Sequence, residues 1–76
     1  MVEVRLFAHL PDICVSRQRR VMVPYRDGLT VRDLLDLEGI AGEDLAVMVN
    51  SRQSSPEVVL SEGDYVFFLP AVAGGA

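Results

Sequence analysis

Leu60-Ser61-Glu62-Gly63-Asp64-Tyr65-Val66-Phe67-Phe68-Leu69-Pro70-Ala71-Val72-Ala73-Gly74-Gly75-Ala76 is the stretch that decides the fold. Ser61–Asp64 carries turn chemistry, with glycine at its third place. From Tyr65 the pattern alternates. Val66 and Phe68 share one face; Tyr65, Phe67 and Leu69 share the other, as in a strand. Pro70 ends that strand. The six residues 71–76 are small and uncharged. Two glycines in that segment leave a backbone that adopts any conformation and threads a narrow channel.

Outward from this segment, the sequence supplies partners for the strand. Val2-Glu3-Val4-Arg5-Leu6-Phe7 alternates, with Val2, Val4 and Leu6 on one side. Phe7 falls on the polar side with Glu3 and Arg5. It is either a strand end curling under a loop or an exposed aromatic on a binding surface. Residues 8–19 read as irregular, with a turn at Pro11-Asp12 and with Ile13 and Val15 tucked inward. Residues 20–25 read as a strand placing Val21, Val23 and Tyr25 on one face. Pro24 has no N–H, which puts this strand at an edge. With the first strand it makes a long-looped antiparallel hairpin.

After the Arg26-Asp27-Gly28 turn, Thr30 and Asp33 predict a capping box, with Leu29 and Leu34 as its apolar staple. Val31, Leu34 and Leu35 form the buried stripe; Arg32, Asp33 and Asp36 face water. Gly39 suits a left-handed stop, with Ile40 closing on Leu35. Leu45–Asn50 reads as a further strand, central or buried on both faces. Asn50-Ser51-Arg52 is turn-like, residues 51–57 are polar, and Val58–Leu60 reads as a short strand.

The order is strand, strand, helix, strand, short strand, strand. One helix across a mixed sheet of four to five strands is an α+β architecture. In 76 residues this order predicts the β-grasp, or ubiquitin-like, arrangement, with the first and last strands adjacent in the centre. Residues 1–70 form the expected single domain and 71–76 a flexible tail.

Composition narrows the chemistry. The chain has one Cys (Cys14) and one His (His9), and all seven basic residues are arginine. That set makes no internal disulfide and supplies neither four zinc ligands nor an iron–sulfur cluster. It offers no lysine for a Schiff base or a P-loop. A net charge of −4 argues against nucleic acid as partner. No apolar run reaches the length of a membrane span, and charge at Glu3 and Arg5 interrupts any signal peptide, so cytoplasm is the expected location.

His9 and Cys14 share one loop, but spacing alone sets no hydrogen bond between them and supplies no third orienting group. The plain reading is a semi-buried thiol and a surface imidazole. Arg17, Arg19 and Arg20 are a short basic run, read as a solvated loop rather than a docking patch for an acidic partner or phosphate. Glu43-Asp44 and Glu62 with Asp64 serve turns, solubility and steering of a basic partner.

The segment from Leu60 to Gly75 resembles the C-terminal signature of prokaryotic ubiquitin-like sulfur carriers. That signature is Leu, two residues, Gly-Asp, an alternating apolar strand, Pro, a short apolar link and Gly-Gly. Val4-Arg5-Leu6-Phe7-Ala8 resembles the opening strand of the molybdopterin synthase small subunit, and Ala46–Asn50 its Val-Asn strand ending. Phe67-Phe68-Leu69-Pro70 is more similar to the molybdopterin branch than to the thiamine branch.

The resemblance implies a carrier that is not itself an enzyme and binds no cofactor. An E1-like adenylyltransferase would use ATP to adenylate a terminal glycine, here Gly75 with Gly74 as its slim neighbour. Sulfur would replace AMP and give a thiocarboxylate, which a synthase large subunit accepts. Phe7, Phe67, Leu69, Pro70 and Val72 would form the docking surface beside the tail. Ala76 departs from the family pattern: a peptidase removes it, or it is foreign to the natural chain, or this member carries no sulfur. Two other readings stand beside the carrier: a ubiquitin-like protein modifier, and a β-grasp module that docks non-covalently. A thiamine or cysteine pathway remains an alternative to molybdopterin.

Overall fold

The computed structural model describes residues 1–71. Five strands form one sheet: β1 (Val2–Leu6), β2 (Arg20–Val23), β3 (Leu45–Val49), β4 (Arg52–Ser54) and β5 (Tyr65–Pro70), in spatial order β2-β1-β5-β3-β4. Two helices accompany them, α1 (Leu10–Ile13) and α2 (Val31–Leu37). β1 and β5 run parallel in the middle, with Val4 opposite Val66 and Leu6 opposite Phe68. The outer pairs β1–β2, β5–β3 and β3–β4 are antiparallel. This is the expected mixed β-grasp sheet.

The sheet is sided because its strands alternate. Val2, Val4, Leu6, Val47, Val49, Val66 and Phe68 are buried under the helices with Leu34, Leu35 and Ile40. Each such side chain contributes about 1.5–3 kcal/mol by leaving water. At α2 the local signals act as the sequence predicts. Thr30 Oγ1 accepts from Asp33 N–H at 3.2 Å, and Asp33 Oδ2 accepts from Thr30 N–H at 3.0 Å. At the other end Gly39 has φ +71°. Ile40 N–H reaches Leu35 O at 3.0 Å and Gly39 N–H reaches Asp36 O at 3.1 Å, a Schellman stop. A seven-residue helix needs both ends satisfied, because its own bonds are few.

Four expectations change. Residues 10–13 form a single helical turn rather than irregular chain; Pro11 fits its start, where no N–H is needed. Ile13 and Val15 point out, at 45% and 72% exposed, because that turn buries Leu10 and Pro11 instead. The outer strand lies at Arg52–Ser54, inside the stretch read as polar loop. Asn50 and Ser51, at φ +51° and +68°, make the tight hairpin that folds it onto β3. Val58–Leu60 is not a strand: Val59 makes one bridge to Thr30, and Leu60 N–H reaches Leu29 O at 2.7 Å. It ties α2's entry to the loop before β5. No helix among the described residues is long and apolar enough to cross a membrane.

Candidate functional site

The helix-free face of the sheet carries a row of three aromatic residues, Phe7, Tyr65 and Phe67. Alternation along β5 sends Tyr65, Phe67 and Leu69 to this side, all half-buried, while Val66 and Phe68 fill the core. Phe67 meets Tyr65 edge-on, ring centroids 4.4 Å apart, and Phe7 edge-on at 5.3 Å. Edge-to-face packing aligns the positive ring edge with the negative face. Phe7 reaches Phe67 because β1 lies parallel to β5 and its N–H donates to Phe68 O at 3.1 Å. Ala8, at φ +55°, then turns the chain away into α1. Phe7 is therefore neither stray nor tucked under a loop. It stands in the aromatic row.

The register adds residues that local patterning could not place. Met48 of β3 lies opposite Phe67, and Ala46 opposite Leu69. Arg5 sits over the Tyr65 ring at 5.8 Å, a cation–π contact. Tyr65 shares its face with Phe67 by simple alternation and was legible; Met48 required knowing which strands pair. Pro70 alternates with Phe68, not Phe67, so it borders this surface at the strand end, opposite Leu45. Ala71 N–H still donates to Asp44 O at 2.9 Å. The exposed Glu43-Asp44 pair thus lies where the chain leaves the sheet toward its tail. Val72, Gly74, Gly75 and Ala76 lie outside the described residues.

A charged border runs along β1 and β2. Glu3 Oε2 accepts from Arg5 Nε at 3.0 Å and Arg20 Nε at 3.1 Å. The Arg20 hydrogen bond, with Arg5 beside it, holds the Glu3 carboxyl below the usual glutamate range. Arg20 is thereby partly committed, and Arg19 Nη1 leans on Ala8 O at 3.4 Å. Arg17 is exposed, with φ +57°. At the opposite sheet end Asp64 accepts from Asn50 Nδ2 at 2.8 Å and from Ser61 N–H at 2.7 Å, and Glu62 pairs with the Met1 amine. Asp64 serves the turn, as the sequence implied, while Glu62 holds the N-terminal amine.

Cys14 and His9 do not form a pair. Cys14 is buried, not semi-buried, and its Sγ lies 3.8 Å from Pro11 O and 3.6 Å from Ser16 Oγ. His9 is exposed at the start of α1. No group of three or more His, Cys, Asp or Glu among the described residues is arranged to hold a metal ion. The candidate site is a surface and the strand that leads out of it.

A search of family models matches residues 4–75 to the ThiS family. The chain belongs to the ThiS family. That places it among the ubiquitin-like sulfur carriers that the sequence resembles. The ThiS-family match spans both the aromatic row and the glycine pair, and stops one residue short of Ala76. Among solved structures, this ThiS-family chain is similar to SAMP1 from Haloferax volcanii at 26% identity. That likeness covers 97% of this chain and 98% of the other, with a TM-score of 0.74. A structure from Pyrococcus furiosus described as putative molybdopterin converting factor, subunit 1, matches in fold. It has 24% identity and a TM-score of 0.74, covering 93% of this chain and 97% of that one.

Proposed function

We propose that this chain is a sulfur carrier that acts through the carboxylate of Gly75. The observation that carries the reading is continuity: the family match runs from the sheet through Gly75 without a break. A carboxylate is a poor electrophile. Attack of its oxygen on the α-phosphorus of ATP, within an E1-like adenylyltransferase, releases pyrophosphate and leaves an acyl adenylate. A sulfide-level sulfur nucleophile (HS⁻) then attacks the carbonyl carbon, AMP leaves with its bonding pair, and loss of the proton gives a thiocarboxylate. The carrier supplies no acid, base, metal or bound cofactor; ATP and catalytic groups belong to the partner enzymes. It is a substrate rather than an enzyme, working in the cytoplasm.

Phe7, Phe67 and Leu69, bordered by Pro70, together with Val72, serve as the docking surface for the activating enzyme and then for an acceptor synthase large subunit. Aromatic side chains suit such use, because they present large contact area with little conformational freedom to lose. Molybdopterin synthesis is the favoured pathway, supported by the fold likeness to the Pyrococcus furiosus protein. A second reading, a protein modifier, is supported by the likeness to SAMP1, also described as small archaeal modifier protein 1. Such a modifier could not extend chains through its own lysines, because it has none.

Anything beyond Gly75 must be removed before activation, so a peptidase acting at Ala76 is part of the proposal. The test supplies ATP and the cognate activating enzyme to two forms, one ending at Gly75 and one at Ala76, and measures ATP–pyrophosphate exchange. Exchange with the first form alone is expected. Equal exchange with both, or none with either, overturns the assignment of Gly75. A sulfur donor or a protein extract is then added: thiocarboxylate marks the carrier, and isopeptide conjugates mark the modifier.

A further inference from the structure

No strand among the described residues pairs with the outer edge of β2, and its surroundings are unlike the rest of this acidic chain. Leu6 N–H donates to Arg19 O at 2.8 Å. With Val4 opposite Val21 and Val2 opposite Val23, that bond sets the alternation of the antiparallel ladder. The backbone groups of Val21 and Val23 face β1. Those of Arg20 and Met22 face away, toward no other strand among the described residues.

Three arginines stand beside this edge. Arg17 has no acidic partner within ion-pair distance among the described residues. Among the described residues Arg19 donates to a carbonyl, Ala8 O, and Arg20 donates to Glu3 through Nε. On the helix side, Val15 (72% exposed) and Leu37 (56% exposed) are uncovered. Val15 reaches α2's end, its Cγ2 lying 3.2 Å from where a Cβ on Gly39 would sit. Leu37 lies one helical turn beyond Asp33, which pairs with Arg26 just after β2. Leu37 therefore flanks the side of α2 nearest β2.

We propose that the β2 edge receives an extended peptide segment, rich in acidic and aliphatic residues, from a partner protein, as a sixth strand. The backbone groups of Arg20 and Met22 would give the ladder bonds that fix direction and register. A strand laid there alternates. Its helix-side residues meet Val21, Val15 and Leu37 and want to be aliphatic. Its other residues meet Arg20 and the exposed Met22, and want to be acidic where they meet Arg20. Arg17 and Arg19 attract acids at the strand's end. Charge also argues against a second copy of this chain on the edge, because self-pairing would bring both arginine triplets to one seam, where like charges repel. The open edge lies on a different strand from the aromatic row.

The test titrates the full, isotope-labelled chain with an acetylated octapeptide of alternating Val and Glu, followed by amide NMR and hydrogen exchange. Amide shifts centred on Arg20 and Met22, with slowed exchange at both, are expected, and binding weakens as salt is raised. Arg17→Glu with Arg19→Glu should weaken binding by about tenfold or more, while Arg17→Lys with Arg19→Lys retains it. The matching Val–Lys octapeptide should not bind. Shifts centred on Tyr65 and Phe67, binding indifferent to the charge reversal, or no binding at millimolar peptide would each overturn the proposal. So would protection of Met22 without peptide together with a dimer in sedimentation, which would assign the edge to a second copy.

Discussion

Phe67 and Phe68 are neighbours of the same residue type on one strand, yet they face opposite sides of the sheet, and truncating each should have very different effects. Phe68 is wholly buried among Leu6, Val47 and Val66. Phe68→Ala removes a ring from a packed core and should cost about 3–5 kcal/mol. At ~0.05–0.15 kcal/mol per residue, a chain of 76 residues has about 4–11 kcal/mol in total. The loss therefore takes about a quarter of the stability at best and all of it at worst. Phe67 is half-buried, and its truncation forfeits edge contacts with Tyr65 and Phe7 worth about 0.5–1.5 kcal/mol each. The expected loss is about 1–3 kcal/mol. Urea denaturation followed by far-ultraviolet circular dichroism measures both. Binding of each folded variant to the activating enzyme supplies the second axis. Phe67→Ala should bind poorly while folded; Phe68→Ala should bind in proportion to its folded fraction. Equal stability losses, or intact binding by Phe67→Ala, would refute the division of the sheet into a core face and a docking face.

Other expectations follow from single observations. Gly39→Ala places a side chain at φ +71° and against Val15 Cγ2, so it should destabilise by about 1–2 kcal/mol. Gly42→Ala meets nothing within 4 Å and should be neutral or stabilise by up to about 1 kcal/mol; thermal unfolding compares them. The Asp33 carboxyl is held below the ordinary aspartate range, chiefly by the Thr30 backbone N–H and further by Arg26. Its contribution is complete above the unfolded aspartate value and is lost as pH falls through the lower folded value. Asp33→Asn should therefore flatten the acid limb of a melting-temperature profile; an unchanged limb would exclude this role. Leu69→Glu should leave the melting temperature within a few degrees, because a half-exposed surface site tolerates charge, and abolish adenylation by a cognate activating enzyme. Normal adenylation rates in that variant would remove Leu69 from the docking surface.

The elements legible in the sequence are those whose signals are local and redundant. The Thr30–Asp33 box, the Leu29–Leu34 staple and Gly39 all mark the same helix, and each finds its expected partner. The alternation of Val2–Leu6 and Tyr65–Leu69 assigns two strands and both their faces. β4 escaped because a three-residue edge strand needs no apolar residue: Arg52, Gln53 and Ser54 are held by pairing with β3 alone. Its one cue was Asn50, a residue that tolerates the left-handed region, but Ser51 hides the usual glycine of such a turn. α1 escaped because four residues have too little periodicity to read. Val58–Leu60 misled because apolar residues in a connecting loop look like a strand when only Leu60 is buried. For the site, Phe67 and Leu69 were legible from alternation. Phe7 stood out only as a break in pattern, and its meaning came from the parallel β1–β5 register.

The central claim concerns the end of the chain, and the mass of the natural protein tests it most directly. Intact mass spectrometry of the chain purified from its native cell, without affinity handles, should show a terminus at Gly75. Part of that population should carry sulfur in place of one carboxylate oxygen. A chain extending past Gly75 throughout, with no sulfur-bearing or conjugated species, would contradict the account.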